Sequence, residues 1–306
     1  MQILVVGAGA MGCLFAARLR RAGFQVVLYE KIASRAKSIQ DRGIEVNGIS
    51  GAYRVKVPAF SESPPVHADW VLLCVKSTDT REAAETVSRW VKPESVVLTL
   101  QNGLGNVDIL KEIFGEERVL CGVTAEGATV LGAGKIRHAG QGETVIGPVR
   151  DRDERVQALV SAFNRAGFQT RGAPDVDQLI WGKLIVNVGI NALAALTRLK
   201  NGRLPQIEGT RRIMARAVEE AAAVARAKGI ELPYADPLDR VVAVCQATAK
   251  NVASMLQDVL HEKTTEIDFI NGAILREGMA LGIDTPVNAV LTALVQTIQE
   301  TYGETV

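Results

Sequence analysis

The stretch Gln2-Ile-Leu-Val-Val6, followed at once by Gly7-Ala8-Gly9-Ala10-Met11-Gly12 and then by Phe15, Ala16, Leu19 and Ala22 at helical spacing, decides the fold of this 306-residue chain. A short apolar run, a glycine turn and a segment with apolar residues every three or four positions spell strand, turn and helix. Each glycine answers a different demand. Gly7 permits the tight turn, Gly9 lets the backbone come close to a ligand, and Gly12 lets the helix pack against the strand. The N-terminus of that helix offers N–H groups without helical partners to an anion. The six residues from Gly7 to Gly12 therefore read as the pyrophosphate cradle of a dinucleotide site.

The strands that follow extend this pattern. Gln25–Tyr29 ends at Glu30-Lys31, the position where an acid accepts from the adenosine ribose of NAD and a cation accommodates the 2′-phosphate of NADP. Glu30 argues for NAD, whereas Lys31, with Arg35 one turn along the next helix, argues for NADP. The plainer reading of all three is an exposed helix start. Ala68-Asp-Trp-Val-Leu-Leu-Cys-Val-Lys76 is a buried parallel strand ending in a lysine, and Ser95–Leu100 is another that runs into Gln101-Asn102-Gly-Leu-Gly105. Ligands of open α/β sheets sit at the carboxyl ends of the strands, which puts Lys76 and Asn102 near cofactor or substrate. A solvated lysine at a strand end is the competing account of Lys76.

Hairpin-like strands are expected between Arg42 and Pro58, and further strands at Val119–Ala125 and Gly134–Gly147. His138, in the last of these, reads as a strand residue with a satisfied imidazole rather than a catalytic group. A helix from about Asp153 to Ala166 and a strand at Gln169–Arg171 close the first half. Gly172-Ala-Pro174 marks the boundary between a dinucleotide-binding domain over 1–172 and an all-helical domain over 173–306.

The helical half is organised by Trp181-Gly-Lys-Leu-Ile-Val-Asn-Val-Gly-Ile-Asn-Ala-Leu-Ala-Ala-Leu196, apolar nearly all round except at Lys183, Asn187 and Asn191. Four residues turn a helix by about 400°, so these three form one polar stripe that climbs about 12 Å. Buried polar groups cost several kcal/mol on the order of their lost hydration unless satisfied, and a ladder of three implies either a polar pocket or an internal hydrogen-bond network. Further helices are expected at Gly209–Lys228, Pro237 to about His261, Thr265–Gly282 and Pro286 to about Glu300. On the second of these Lys250, Asn251, Ser254 and Asp258 would share one side. Thr265, with Asp268 three residues on, resembles a capping box that would put Glu266 in a first helical turn, where the helix dipole favours its ionised form. Beside Lys183 such a carboxylate would hold the ammonium protonated.

Lys+Arg 35 against Asp+Glu 34 leaves a formal charge of +1. That balance gives no electrostatic reason to expect nucleic acid or an anionic membrane, and small molecules are the expected partners. The chain opens directly on a strand and carries no apolar run of membrane-spanning length, so a cytosolic protein is expected, as a monomer or homodimer. Cys13, Cys74, Cys121 and Cys245 are scattered and read as reduced packing thiols, with no metal site. A nicotinamide domain joined to a lysine and amide stripe suggests carbonyl reduction. Lys183 would give the proton, Asn102, Asn187 and Asn191 would orient polar groups of the substrate, and Asn251 with Ser254 would grip a carboxylate.

These motifs together resemble the 2-dehydropantoate 2-reductases (ketopantoate reductases) over nearly the whole chain. The likeness includes GAGAMG at 7–12, VK ending at Lys76, QNGLG at 101–105, GVT followed by H-x-G-x-G at 138–142, and KLIVNVGINAL from Lys183. It continues with NVASMLQD from Asn251, TEIDFINGAI from Thr265 and GIDTPVN near the end. The resemblance implies an α/β protein, with an N-terminal Rossmann-type doubly wound domain followed by an all-α C-terminal domain of the 6-phosphogluconate-dehydrogenase-like type. It implies NADPH-dependent reduction of ketopantoate to pantoate in pantothenate and coenzyme A synthesis. Lys183 is then the proton donor and Glu266 its catalytic partner or a substrate hydroxyl ligand. Asn102, Asn187, Asn191 and Ser254 are implied as substrate residues, and Lys76 as a cofactor or active-site contact. The family often carries arginine after the second strand where Glu30-Lys31 stands here, which keeps NAD open beside NADP. A paralogous reductase of another 2-keto acid, an opine-type reductase, and a redox-silent dinucleotide-binding regulator are the alternative readings.

Overall fold

In the computed structural model, which describes residues 1–64, 67–149 and 154–304, the chain divides into two compact units. One comprises Met1–Gln101 and Asn106–Val176, the other Asn102–Gly105 and the residues from Asp177 onward. The expected helix start at Asp153 lies outside the described residues.

The first unit is α/β. Its elements are β1 (Gln2–Val6), α1 (Ala10–Arg21), β2 (Gln25–Tyr29), α2 (Ala33–Arg42), β3 (Ile44–Gly48), β4 (Tyr53–Val55), β5 (Ala59–Phe60), β6 (Ala68–Leu73), α3 (Thr80–Val87) and β7 (Val91–Thr99). They continue with α4 (Asn106–Phe114), β8 (Val119–Thr124), β9 (Gly127–Gly132), β10 (Lys135–Gly140), β11 (Thr144–Pro148), α5 (Glu154–Arg165) and β12 (Thr170–Gly172). Eight strands form one sheet in the order β12-β11-β8-β7-β6-β1-β2-β5. All its pairings are parallel except β8 with β11. The run β5-β2-β1-β6-β7-β8 is the doubly wound order, with the strand order reversing beside β1.

The apolar sequence of β1 explains its central place. Ile3 and Val5 pack on one face with Phe15 and Leu19 of α1, while Leu4 and Val6 pack on the other with Leu110 and Phe114 of α4. A strand covered on both faces needs apolar residues at every position, and β1 has them after Gln2.

A second sheet, β4-β3-β10-β9, packs on α1 through Ile44, Val46 and Ile136. The hairpin expected between Arg42 and Pro58 is the β3–β4 pair, but it belongs to this smaller sheet, and the sequence gives no sign of β9. All four cysteines are free. Burial pushes the Cys13 thiol up to about 12, which fits packing rather than reactivity.

The second unit is helical: α6 (Asp177–Thr197), α7 (Glu208–Ala227), α8 (Pro237–Ala247), α9 (Ser254–Leu260), α10 (Asn271–Leu281) and α11 (Pro286–Glu300). The helix α6 packs against α7, α8, α9 and α11 and is the core of this unit. Contrary to expectation, it is long and apolar enough to cross a membrane, but most of it is buried inside the unit. Two glycines let its neighbours come close. A Cβ at Gly182 would stand 2.8 Å from Pro233 Cγ, and one at Gly189 would stand 2.8 Å from Val241 Cγ1. Such approach compensates the roughly 1 kcal/mol that each glycine costs a helix interior.

Two sequence-based expectations fail here. The single helix from Pro237 to His261 is broken into α8 and α9. The backbone N–H groups of Gly202 and Asn201 donate to the carbonyls of Ala249 and Asn251 at 3.3 and 3.2 Å. Those carbonyls would otherwise have carried the helix onward. Lys250 and Asn251 therefore lie in a turn, Ser254 begins α9, and the four polar residues do not share a helix face.

The second failure is the capping box. Thr265 Oγ1 accepts from Ile267 N at 3.2 Å, and Asp268 Oδ1 accepts from Gln296 Nε2 at 2.6 Å. Glu266 precedes a three-residue 3₁₀ turn, Ile267–Phe269, and α10 begins only at Asn271. So short a turn has almost no dipole, and the dipole argument for the charge of Glu266 does not apply.

Candidate active site

The glycine turn follows β1 directly. Gly7 has φ +98°, and a Cβ there would meet Val75 N at 2.9 Å. A Cβ at Gly12 would stand 1.9 Å from Gly7 O, so close packing explains both residues. Gly9 is different: the nearest atom to a Cβ there is Cys74 O at 3.9 Å. Packing gives no reason for a glycine at 9, whereas a ligand lying against the backbone does. Gly9 is also the N-cap of the twelve-residue α1, which has no side-chain cap. Ala8 to Met11 complete the turn and the first residues of the helix. This cradle fits the pyrophosphate of a dinucleotide.

Glu30 is 5% exposed. Its Oε2 accepts from Ala8 N and its Oε1 from Ile32 N, each at 3.1 Å, and Arg35 lies 3.8 Å from Oε1. Lys31 is half-exposed and pairs with Asp79 at 3.1 Å and Glu82 at 2.9 Å. Lys76 stands just beyond β6, before the 3₁₀ turn Ser77–Asp79. A buried network fixes that loop. Asn106 Nδ2 donates to Ser77 Oγ at 3.0 Å, Thr80 Oγ1 donates to Asn106 Oδ1 at 2.8 Å, and Gln101 Nε2 donates to Thr80 Oγ1 at 2.8 Å.

In the helical unit, Lys183, Asn187 and Asn191 sit on successive turns of α6. Lys183 and Asn187 are half-buried and Asn191 is 4% exposed. Burial lowers the Lys183 ammonium from its ordinary 10.5 to about 8, and the Glu266 carboxylate opposes the fall. Glu266, 7% exposed, accepts at Oε2 from Asn102 Nδ2 at 3.4 Å.

The segment 102–105 is held to the same place through its backbone. Leu104 N donates to Phe269 O at 2.9 Å, and Gly103, with φ +83°, would put a Cβ 2.3 Å from that same oxygen. Three residues distant in sequence, Asn102, Lys183 and Glu266, thus form one polar cluster. Such a cluster can bind a polar substrate group and exchange a proton with it. Asn251 and Ser254 are exposed, at the α8–α9 turn and the start of α9.

Residues 3–151 match the family described as Ketopantoate reductase PanE/ApbA, and residues 175–299 match its C-terminal part. The chain is 36% identical over 302 residues to a 2-dehydropantoate 2-reductase of Halobacterium salinarum, covering 98% of this chain and 99% of the relative. The chain belongs to the ketopantoate reductase family.

The crystal structure of a PanE/ApbA family ketopantoate reductase from Ralstonia eutropha JMP134 superposes with a TM-score of 0.91 at 37% identity, over 98% of this chain and 99% of that one. A D-mandelate dehydrogenase solved with NADH and anilino(oxo)acetate gives the same TM-score at 27% identity, with the same coverage. As a ketopantoate reductase family member the chain is an oxidoreductase with a Rossmann-like first unit.

The partners of several buried polar residues are not visible in the sequence. His138 and Glu126 form a fully buried pair, Nε2 to Oε2 at 2.6 Å, in the smaller sheet. Among the described residues, His138 Nδ1 and Glu126 Oε1 have no hydrogen-bond partner, so the imidazole is only partly satisfied. Asn271 and Asn288, both 0% exposed, join α10 to α11 through a 3.0 Å bond. Glu220 of α7 caps α11 by accepting from Val287 N and Asn288 N, each at 2.9 Å. No local pattern marks these residues, because each partner is at least twelve residues away. Among the described residues no group of three or more His, Cys, Asp or Glu gathers to hold a metal.

Proposed function

We propose that the chain reduces the 2-keto group of ketopantoate to pantoate, a step toward pantothenate and coenzyme A, as a cytosolic enzyme. The observation that carries the mechanism is the cluster of Lys183, Glu266 and Asn102, in which burial lowers the ammonium to about 8 and the carboxylate opposes the fall. A bound reduced nicotinamide dinucleotide supplies the hydride. As the ketone carbon is reduced its oxygen gains negative charge, and Lys183 Nζ is the group that delivers a proton to it.

A lysine at about 8 is about nine-tenths protonated at pH 7, yet is a far better acid than one at the ordinary value. Glu266 keeps the ammonium from losing its proton early, and Asn102 occupies one oxygen of that carboxylate. The amides of Asn187 and Asn191, on the same stripe, orient the hydroxyl and carbonyl groups of the substrate. Ser254 and Asn251 contribute hydrogen bonds to its carboxylate, and Lys76 contacts the cofactor. The first unit binds the dinucleotide at Gly7–Gly12.

The similarity to a D-mandelate dehydrogenase favours one second reading, a paralogue acting on another 2-keto acid. The test is loss of the nicotinamide absorbance band on addition of ketopantoate, with other 2-keto acids and with NADH and NADPH in parallel. Steady turnover of ketopantoate supports the first reading. Turnover confined to another keto acid supports the second, and none with any keto acid removes both.

A further inference from the structure

Strands β2, β1 and β6 are neighbours in the sheet, so the loops beyond their carboxyl ends meet around the glycine turn. The loop after β2 carries Glu30 and Lys31, and the turn and helix after β6 carry Asp79 and Glu82. Lys31 Nζ lies between the two carboxylates, at 3.1 Å from Asp79 Oδ1 and 2.9 Å from Glu82 Oε2. We propose that Asp79 and Glu82 set the cofactor preference of this enzyme. By drawing Lys31 away from the ribose they deny it to a 2′-phosphate, and so favour NADH over NADPH. This rests on the dinucleotide reading given above.

The rest of the neighbourhood acts in the same direction. A 2′-phosphate carries up to two negative charges and would stand near the buried Glu30 carboxylate. Arg35, the other cation nearby, in the first turn of α2, is itself 3.8 Å from Glu30. Both candidate cations are therefore engaged with acids of the protein. A ribose 2′-hydroxyl carries no charge and can donate to Glu30. Because Lys31, Asp79 and Glu82 are 50%, 40% and 66% exposed, their pairs are screened by solvent. Their influence is then a moderate bias rather than an absolute barrier.

The exposed positions also make the test clean, since neutral replacements there leave the core untouched. Dissociation constants for NADH and NADPH are measured by nicotinamide fluorescence on the whole chain, in wild type, Asp79→Asn/Glu82→Gln, and the same double variant with Lys31→Met added. The wild type is expected to bind NADH more tightly. The double variant is expected to bind NADPH about three- to tenfold more tightly than wild type, the scale of two exposed ion pairs, with NADH affinity within about twofold. Adding Lys31→Met is expected to abolish that gain, which separates release of Lys31 from a general change in charge.

A wild type that prefers NADPH, a double variant with unchanged NADPH affinity, or a gain that survives Lys31→Met each overturns the proposal. Because binding is read directly, a chain that binds NADH yet reduces no keto acid refutes the reductase reading and leaves this one standing. A chain that binds neither dinucleotide overturns both.

Discussion

Asn102 Nδ2 donates to Glu266 Oε2 at 3.4 Å, joining residues 164 positions apart in the sequence. The backbone bond from Leu104 to Phe269 fastens the same two segments, and Glu266 in turn acts on the charge of Lys183. The proposed proton donor is therefore tuned by a chain of contacts, and each link can be tested separately.

The first link is the titration of Lys183. Burial brings its ammonium down to about 8, and in the proposed reaction the protonated form is the one that acts. The rate of keto-acid reduction is expected to be flat below that value and to fall about tenfold per pH unit above it. Removing the opposing carboxylate with Glu266→Gln lowers the lysine further, so the descending limb is expected at lower pH. The checking measurement is the pH profile of kcat/KM for both forms. A limb that stays in place in Glu266→Gln breaks the link between the two residues.

The second link is the backbone at Gly103. Alanine there would carry φ +83° and a Cβ 2.3 Å from Phe269 O. The left-handed conformation alone costs about 1–2 kcal/mol, and relieving the clash moves Asn102 or Glu266. Gly103→Ala is expected to be destabilised by at least about 1 kcal/mol, with a larger loss in kcat than in dinucleotide affinity. Urea unfolding and steady-state kinetics check both.

How much of this could be read from the residues alone depends on how local each cause is. The β1–turn–α1 unit and the α6 stripe were legible, because an apolar run before a glycine turn and fourfold spacing on a helix are properties of a few consecutive residues. The break between α8 and α9 was not, since it arises from Asn201 and Gly202 binding carbonyls nearly fifty residues away. Nor was the start of α10, where Gln296 takes the Asp268 side chain that a capping box would have used. The engagement of Lys31 was hidden for the same reason. Its charge pointed to a phosphate, and only the fold brings Asp79 and Glu82 beside it.

A third prediction contrasts two glycines of the cradle. Gly12→Ala drives a Cβ to 1.9 Å from Gly7 O and is expected to lower stability and dinucleotide binding together. Gly9→Ala meets nothing nearer than 3.9 Å, so the melting temperature is expected to stay within about 2 °C, for a stability change inside ±0.5 kcal/mol. Its NADH affinity is expected to fall at least about tenfold, the scale of about 1.4 kcal/mol. Calorimetry and fluorescence titration read the two effects. Undiminished affinity in Gly9→Ala would show that the cofactor does not lie against this backbone.

A fourth concerns His138 of β10, which bonds Glu126 just before β9. Glu126→Ala leaves the imidazole without its buried partner and is expected to destabilise the protein by about 1–3 kcal/mol, the cost of a buried polar group left unsatisfied. The kcat of the folded fraction is expected to be unchanged. A selective loss of kcat with stability intact would instead give this pair a part in the chemistry.

The most direct test of the central claim is single-turnover reduction of ketopantoate by the Lys183→Ala variant, with dinucleotide affinity measured on the same preparation. The expected result is a rate of hydride transfer lower by about 10² to 10⁴ with affinity for the dinucleotide retained. A variant that reduces ketopantoate at the wild-type rate would contradict the assignment of Lys183 as proton donor.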